Sequence, residues 1–298
     1  MNLAYFFQNL IGGLSLGSIY ALVAIGYSLT FSILRLINFA HGDILMIGAY
    51  CGLFVIVALK LPLWMALVLS ILAAALLGMV IEGIAYRPLR GANDVAALIT
   101  SLAVSILIQN FGIMTLSAQP RKFEVPEFLM NLHNFGNLSL SNMTILIITL
   151  SISLMAVFSL FVTKTRMGVA MRACSENIAV ARLMGININR VVSATFALGS
   201  GMAAVSGVLL AGQYGRIDPL MGFVPGLKAF VAAVIGGMGS ISGAACGGFI
   251  LGLAEILLVA LLPPVYSGYR DAFVFIILIL VLLLKPAGLL GQVEGRKV

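Results

Sequence analysis

This chain has very little charge for its size. Only 9% of its 298 residues are acidic or basic, 61% are hydrophobic, and the mean hydropathy is +1.14. A soluble domain of this length could not hide so much apolar surface, which excludes an ordinary globular enzyme or binding module. Cysteine is also scarce. Cys51 and Cys246 stand in apolar blocks and Cys174 in a basic stretch. An odd number without pairing pattern or metal spacing argues against a disulfide framework or a zinc site. Histidine occurs only at His41 and His133, too few for a histidine-based metal centre. The patterns GxxxxGK[ST], GxSxG and HExxH are missing, so no ATP site of the usual kind and no hydrolase site is expected. No basic patch with interleaved aromatics is present, and nucleic acid is not an expected partner. The sequence points away from an enzyme and from any cofactor held by this chain.

What it has instead is a series of long apolar blocks, at 10–34, 38–60, 62–86, 95–117, 143–163, 191–214, 227–262 and 270–285. A helix needs about 20 apolar residues to cross the bilayer core. The expected fold is an all-α, polytopic membrane bundle of about eight transmembrane segments, forming one domain over 1–298. The N-terminus, MNLAYFFQNL, has no basic stretch before its apolar run, so the first helix is expected to be retained.

Basic residues mark cytoplasmic loops. They gather at Arg87 and Arg90, in 164–190, and in the tail with Lys285, Arg296 and Lys297, which places the C-terminus in the cytoplasm. The loop 118–142 balances Arg121 and Lys122 with Glu124 and Glu127 and reads as external. The net charge of +7 is therefore assigned to topology. With 164–190 and the C-terminus on one side, the block 227–262 must cross twice or not at all. It corresponds to roughly 54 Å of helix, short of two crossings of about 30 Å each. It also contains GGMGS, so a broken or re-entrant helix is expected there. Non-helical backbone at membrane depth is tolerated only beside protein or a water-filled cavity. Gly236, Gly237, Gly239 and Ser240 are thus candidates for the pathway or a gate. GAYCGLFVI (48–56) matches GAACGGFIL (243–251), and Gly12, Leu14 and Gly17 match Gly207, Leu209 and Gly212 at the same offset. A repeat of this kind would be inverted, with paired interrupted segments pointing to the pathway.

Other residues carry two readings each. Asn38, His41 and Asp43, in NFAHGD, either line the pathway or a gate, or form a cytoplasmic turn beside Arg35 with Asp43 capping a helix. Glu255 is an intramembrane acid and a functional candidate by default; alternatively it snorkels or pairs with a neighbouring subunit. Glu82 is expected to pair with Arg87. Gly12, Gly13, Gly17, Gly199, Gly201 and Gly207 suit close helix packing. Arg216, Asp218, Arg270 and Asp271 stand in short external loops and either dock a soluble partner or are simply solvated. The stretch KTRMGVAMRACSENIAVARLMGININR (164–190) sets Lys164, Arg166, Arg172, Arg182 and Arg190 against the single acid Glu176. Its alanines and Gly185 describe a helix–glycine–turn surface of the kind a membrane channel offers to a soluble motor.

Four stretches together resemble one family. LGSIYALVAIGYSLTFSILRLINFAHGDILMIGAY (16–50), AYRPLR (85–90), TRMGVAMRACSENIAVARLMGI (165–186) and LKAFVAAVIGGMGSISGAACGGFILGLAE (227–255) are similar to the permeases of bacterial branched-chain amino-acid ABC importers, specifically the first of the two paired subunits. The likeness runs nearly end to end, and 118–142 is its least characteristic part. It implies a heterodimer with a second permease, two P-loop ATPase subunits that bind the ATP, and a periplasmic substrate-binding protein, all at the bacterial inner membrane. It implies that 164–190 docks the ATPase. Glu176, Ala181 and Gly185 stand at the places of the family's glutamate–alanine–alanine…glycine loop, with Arg182 beside them, while Asn177 replaces the alanine that usually follows the glutamate. It further implies alternating access for leucine, isoleucine or valine. Importers of urea or short-chain amides use similar permeases and remain alternatives. An ion-driven transporter would need midplane coupling carboxylates and no docking loop.

Overall fold

Long runs of Leu, Ile, Val and Ala leave the backbone in hydrocarbon with no partner but itself, and helices result. The computed structural model describes residues 3–136, 138–263, 268–285 and 287–291. Before the first ribbon come α1 (Leu3–Leu34), α2 (Ala40–Val57), α3 (Leu63–Ile81) and α4 (Asp94–Leu116). A π turn (Glu82–Tyr86) and a 3₁₀ turn (Arg87–Leu89) extend α3. Next come β1 (Arg121–Lys122), α5 (Glu127–Met130), β2 (Leu132–Phe135) and β3 (Leu138–Ser141). The rest is α6 (Asn142–Lys164), α7 (Arg166–Glu176), α8 (Ile178–Leu183), α9 (Ile188–Tyr214), β4 (Arg216–Ile217), α10 (Phe223–Gly236), α11 (Ile241–Leu261) and α12 (Arg270–Leu284).

Seven helices among the described residues are long and apolar enough to cross a membrane: α1, α2, α3 with its extension, α4, α6, α9 and α11. The protein is a multi-pass helical membrane bundle. The block expected at 227–262 is two helices, α10 and α11, parted at GGMGS. At 14 residues α10 spans only about 21 Å, too short to cross alone. The last block is the 15-residue α12. The tail beyond Gly291, with Arg296 and Lys297, lies outside the described residues.

Burial sorts the helices. The long helices α1, α2 and α9 are mostly buried and form the centre, while α3, α4 and α6 turn large faces outward. Those faces carry Leu72, Leu76, Leu107, Phe111, Val157 and Leu160, side chains suited to lipid. The central helices meet at glycines. A Cβ on Gly13 would stand 3.0 Å from the Leu253 backbone, and one on Gly17 would stand 2.9 Å from Phe249. Likewise Gly207 lies against Leu45 and Ala49, and Gly48 against Ala204. Thus α1 packs along α11, and α9 packs along α2. The first helix of each half lies on the second helix of the other, the reciprocal arrangement an inverted repeat produces.

The two ends of the bundle differ in chemistry. One gathers α7, α8 and the turn at 87–90, joined where Arg90 donates to Asn189 at 2.6 Å. The other holds two short antiparallel ribbons, β1–β4 and β2–β3. There the Phe123 N–H donates to the Gly215 carbonyl at 3.0 Å, and Gln8 of α1 donates to the Ser139 carbonyl at 2.8 Å. The segment expected as a loop at 118–142 is therefore an ordered cap over this end.

Glycine packing yields the first test. Gly48→Leu should force α2 off Ala204 and destabilise the protein by about 1–3 kcal/mol or more. Gly83→Ala, where an added methyl meets nothing within 4 Å, should leave stability nearly unchanged. Melting of the detergent-purified protein compares the two.

Candidate functional site

The basic stretch folds as a small module on the bundle's basic end. Thr165 ends α6 and caps α7, its Oγ1 accepting from the Gly168 N–H at 3.1 Å. Gly168 lies directly against the carbonyls of Phe161 and Val162, where no side chain fits. The inner face of α7 buries Gly168, Met171 and Cys174. Arg172 donates to the Thr163 carbonyl at 3.2 Å, satisfying the end of α6. Asn177 ends α7 in an extended conformation and caps α8, accepting from the Val180 N–H at 3.0 Å. An alanine there could not do this.

A Schellman turn closes α8. Gly185 has φ +81°, its N–H donates to the Arg182 carbonyl, and the Ile186 N–H donates to the Ala181 carbonyl. Glu176, Arg182 and Gly185 are exposed, whereas Ala181 is buried and holds α8 on the bundle. The foremost residues of the module are ones the sequence reading passed over. Leu183 is 86% exposed and Met184 77% exposed at the tip, just before the glycine turn. Two large apolar side chains are thus raised on a basic surface. Their signal was an apolar pair immediately before the turn-forming glycine.

At GGMGS, Gly237 and Gly239 adopt φ +107° and +92°. The break is held by protein on two sides. Ser28 of α1 accepts from the Gly239 N–H at 3.0 Å and donates to the Ser240 carbonyl at 3.2 Å. The N–H groups of Leu289 and Leu290 donate to the carbonyls of Ile235 and Gly236, at 2.8 and 2.9 Å, and cover the end of α10. Ser240 caps α11 by accepting from the Gly243 N–H. Gly236 and Gly237 are buried, Ser240 is half-buried and Gly239 is exposed.

Asn38, His41 and Asp43 are all buried around the start of α2, so this is no solvated turn. Asp43 does not cap the helix: the N-cap position is Phe39, without a side-chain cap. The three residues face different neighbours. Asn38 accepts from the Tyr86 hydroxyl at 2.6 Å. His41 stacks edge-on to Tyr27 at 4.7 Å between ring centres and lies against Gly26. Asp43 accepts from Gln109 of α4 at 3.0 Å.

Glu255 neither snorkels nor waits for another subunit. It accepts from Lys228 of α10 at 2.8 Å, from Arg270 of α12 at 3.0 Å and from Tyr20 of α1 at 3.0 Å. Lys228 also pairs with Asp271 at 2.7 Å. Two cations and two anions thus neutralise one another and tie four helices together, and Arg270 and Asp271 are spent on this rather than left as a loop. Glu82 pairs with Arg90, not with Arg87, and accepts from Ser193 at 2.6 Å. A cavity of about 280 Å³ lies between α3, α6 and α9, lined by Ile71, Leu154, Phe158, Phe161 and Met202 among other apolar residues. It offers no polar group to orient a zwitterion.

Two outcomes follow from this geometry. Lys228→Met and Glu255→Leu should each destabilise the protein by less than the about 3–5 kcal/mol of a stranded buried charge, because Arg270 still pairs with Glu255 in the first and Asp271 with Lys228 in the second. The double variant should lose less than their sum, as a melting-based double-mutant cycle would reveal. Burial also pushes the Cys174 thiol above its ordinary value, which leaves less thiolate at neutral pH. A polar maleimide should therefore label Cys174 slowly at pH 7 and faster only as the pH climbs towards 9. Fast labelling at pH 7 would mean that α7 stands off the bundle.

The comparisons with known proteins agree with these features. Residues 9–282 match the family model described as branched-chain amino acid transport system / permease component. The chain is 42% identical over 308 residues to the high-affinity branched-chain amino acid transport system permease protein BraD of Pseudomonas aeruginosa, covering 99% of this chain and 98% of that one. It is 42% identical over 306 residues to the corresponding protein LivH of Escherichia coli, with the same coverage. It is 27% identical to a probable branched-chain amino acid transport permease protein of Methanocaldococcus jannaschii, over 96% of this chain and 92% of that one. This chain belongs to the family of permease components of branched-chain amino acid transport systems.

Proposed function

We propose that this chain is a membrane-spanning subunit of an importer that carries leucine, isoleucine or valine across the bacterial inner membrane, powered by ATP bound on separate subunits. The observation that carries the reading is the α7–α8 module, with Leu183 and Met184 raised at its tip and its far side anchored on the bundle. Such a knob fits a groove on a soluble motor. The names of the relatives support the substrate class. The partners are a second, homologous permease, two P-loop ATPases in the cytoplasm and a periplasmic binding protein outside. On this reading the basic end and the C-terminus face the cytoplasm, and the ribbon end faces the periplasm.

The mechanism follows from which parts are tied together. When the ATPases close, they move α7 and α8. The module packs on α1, α6 and α9, so the motion passes into the central helices. ATP then shifts the bundle between outward- and inward-open forms only by as much as the motor-bound state prefers one of them. The chain itself holds no cofactor.

Purification from native membranes in mild detergent tests the assembly, and uptake tests the energy source. A second permease and two ATPases should copurify, and leucine uptake should fail when ATP is depleted. A chain recovered alone, with uptake abolished by an uncoupler and indifferent to ATP, would overturn the reading. Leu183→Asp puts a charge where the knob enters its groove. It should reduce ATP-dependent uptake about tenfold or more without lowering the protein's melting temperature, since Leu183 supports nothing inside the fold.

A further inference from the structure

The cavity between α3, α6 and α9 has nothing for a zwitterion, yet it opens towards the membrane. Val157 lines it and is 63% exposed, and Leu72 and Leu76 of α3 and Leu160 of α6 face outward beside it. Its inner wall belongs to α9, a helix that is otherwise mostly buried. Small residues make the space: Ala197 and Gly201 on α9, and Ala75 on α3. Along α9 the lining runs from Ala197 to Val205, about 12 Å of helix. An apolar cavity attracts no water. In a bilayer the surrounding solvent is acyl chain, and an unfilled wall forfeits its dispersion contacts. A tail that enters restores them.

A tail alone would select no lipid, because the hydrocarbon outside is as apolar as the cavity. The basic end supplies the selection. There α6 finishes at Lys164 and α9 begins at Ile188, two residues before Arg190. Lys164 lies three residues beyond Phe161 and seven beyond Val157, and Arg190 lies seven before Ala197. Helical periodicity puts each cation on the cavity-facing side of its own helix. Along the axes they stand about 4.5 Å from Phe161 and about 10.5 Å from Ala197. Both side chains are exposed, and among the described residues no acid pairs with either. Nearby, Arg90 and Arg172 are already engaged, with Glu82 and with the Thr163 carbonyl. Unpaired cations at the end of an apolar cleft between membrane helices complement a molecule with both an acyl chain and a negative headgroup.

We propose that this cavity holds one acyl chain of an anionic phospholipid, whose headgroup is received by Lys164 and Arg190. The seat of α7 adjoins it: Gly168 rests on the carbonyls of Phe161 and Val162, and Phe161 lines the cavity. A bound lipid therefore props α6 from α9 beside the helix pair α7 and α8. The site requires only that the bundle lies in a membrane, so it stands apart from the importer reading.

Tryptophan quenching in lipid nanodiscs tests it. Phe161→Trp places a fluorophore in the cavity wall of the full chain, with whatever subunits accompany it. The signal is the difference from the same preparation with Phe161, which removes Trp64 and any partner's tryptophan. Phosphatidylglycerol with brominated tails is compared with phosphatidylcholine with brominated tails. Phosphatidylglycerol should quench at a mole fraction about tenfold or more lower. Lys164→Gln combined with Arg190→Gln should bring the two lipids to parity. Ala197→Phe, which fills the cavity and leaves both cations, should reduce quenching by both. Leu107→Trp, on the outward face of α4, should show no preference. Leu154→Trp repeats the reading if Phe161→Trp does not assemble. Equal quenching by the two lipids in the cavity would overturn the proposal, as would a preference that survives loss of both cations or quenching untouched by Ala197→Phe. The same preference at Leu107→Trp would mean anionic lipid gathers round the whole protein, and no quenching by either lipid would mean that protein fills the cleft; each also overturns it.

Discussion

A polar backbone group cannot be left unpaired in hydrocarbon, and the arrangement of this bundle turns on how its breaks meet that rule. At GGMGS the chain leaves helical geometry between α10 and α11. Ser28 supplies one donor and one acceptor from α1, and the segment at 289–290 supplies two donors to the end of α10. The break is possible only because α1 and the C-terminal segment are already in place. That requires α1 to run along α11 at glycine distance, which Gly13, Gly17, Gly248 and Gly252 permit. Small residues here do more than tighten packing. They bring Ser28 within reach of a backbone that would otherwise be exposed.

The same rule applied to charge separates the acids by role. Glu255 and Glu82 are costly to bury, yet each is surrounded by donors, so they read as fastenings between helices. Asp43 is buried as deeply but is held by the neutral side chains of Gln109 and Ser105, and among the described residues no cation pairs with it. An ionisable residue buried within the membrane without a counter-charge is where function is expected.

Much of this fold was legible in the sequence because hydrocarbon is a simple solvent. Apolar length gave the spans, the basic stretch at 164–190 gave the helix pair α7 and α8, and GGMGS gave the break between α10 and α11. Partners contributed from distant parts of the chain were not legible. That Glu255 meets Lys228 and Arg270 depends on how α10, α11 and α12 converge, and no local pattern encodes it. Glu82 lies one turn from Arg87 but turns to Arg90, because the π turn at Glu82–Tyr86 rotates the helix face. Asn38, His41 and Asp43 read as a polar cluster along the chain, yet the helix start splays them towards the π turn, α1 and α4 respectively. Asn177 looked like a departure from the family pattern, and its capping bonds give the departure a local purpose.

On the proposed importer reading, the placement of α7 and α8 bears on how a motor's stroke would reach the central helices. The module packs on α1 and α9 of the centre. The first of these holds the GGMGS break through Ser28, and the second holds α2, whose start carries Asp43. A displacement of the module therefore has two short routes inward, each ending at an interruption of helical structure. Interiors packed backbone to backbone deform little, so the displacement must appear where packing is already interrupted. Beside those interruptions, Gly42 meets Gly222 and Gly226 at the start of α10 backbone to backbone, and Phe39 just before α2 meets Phe230 of α10 at 6.0 Å between ring centres.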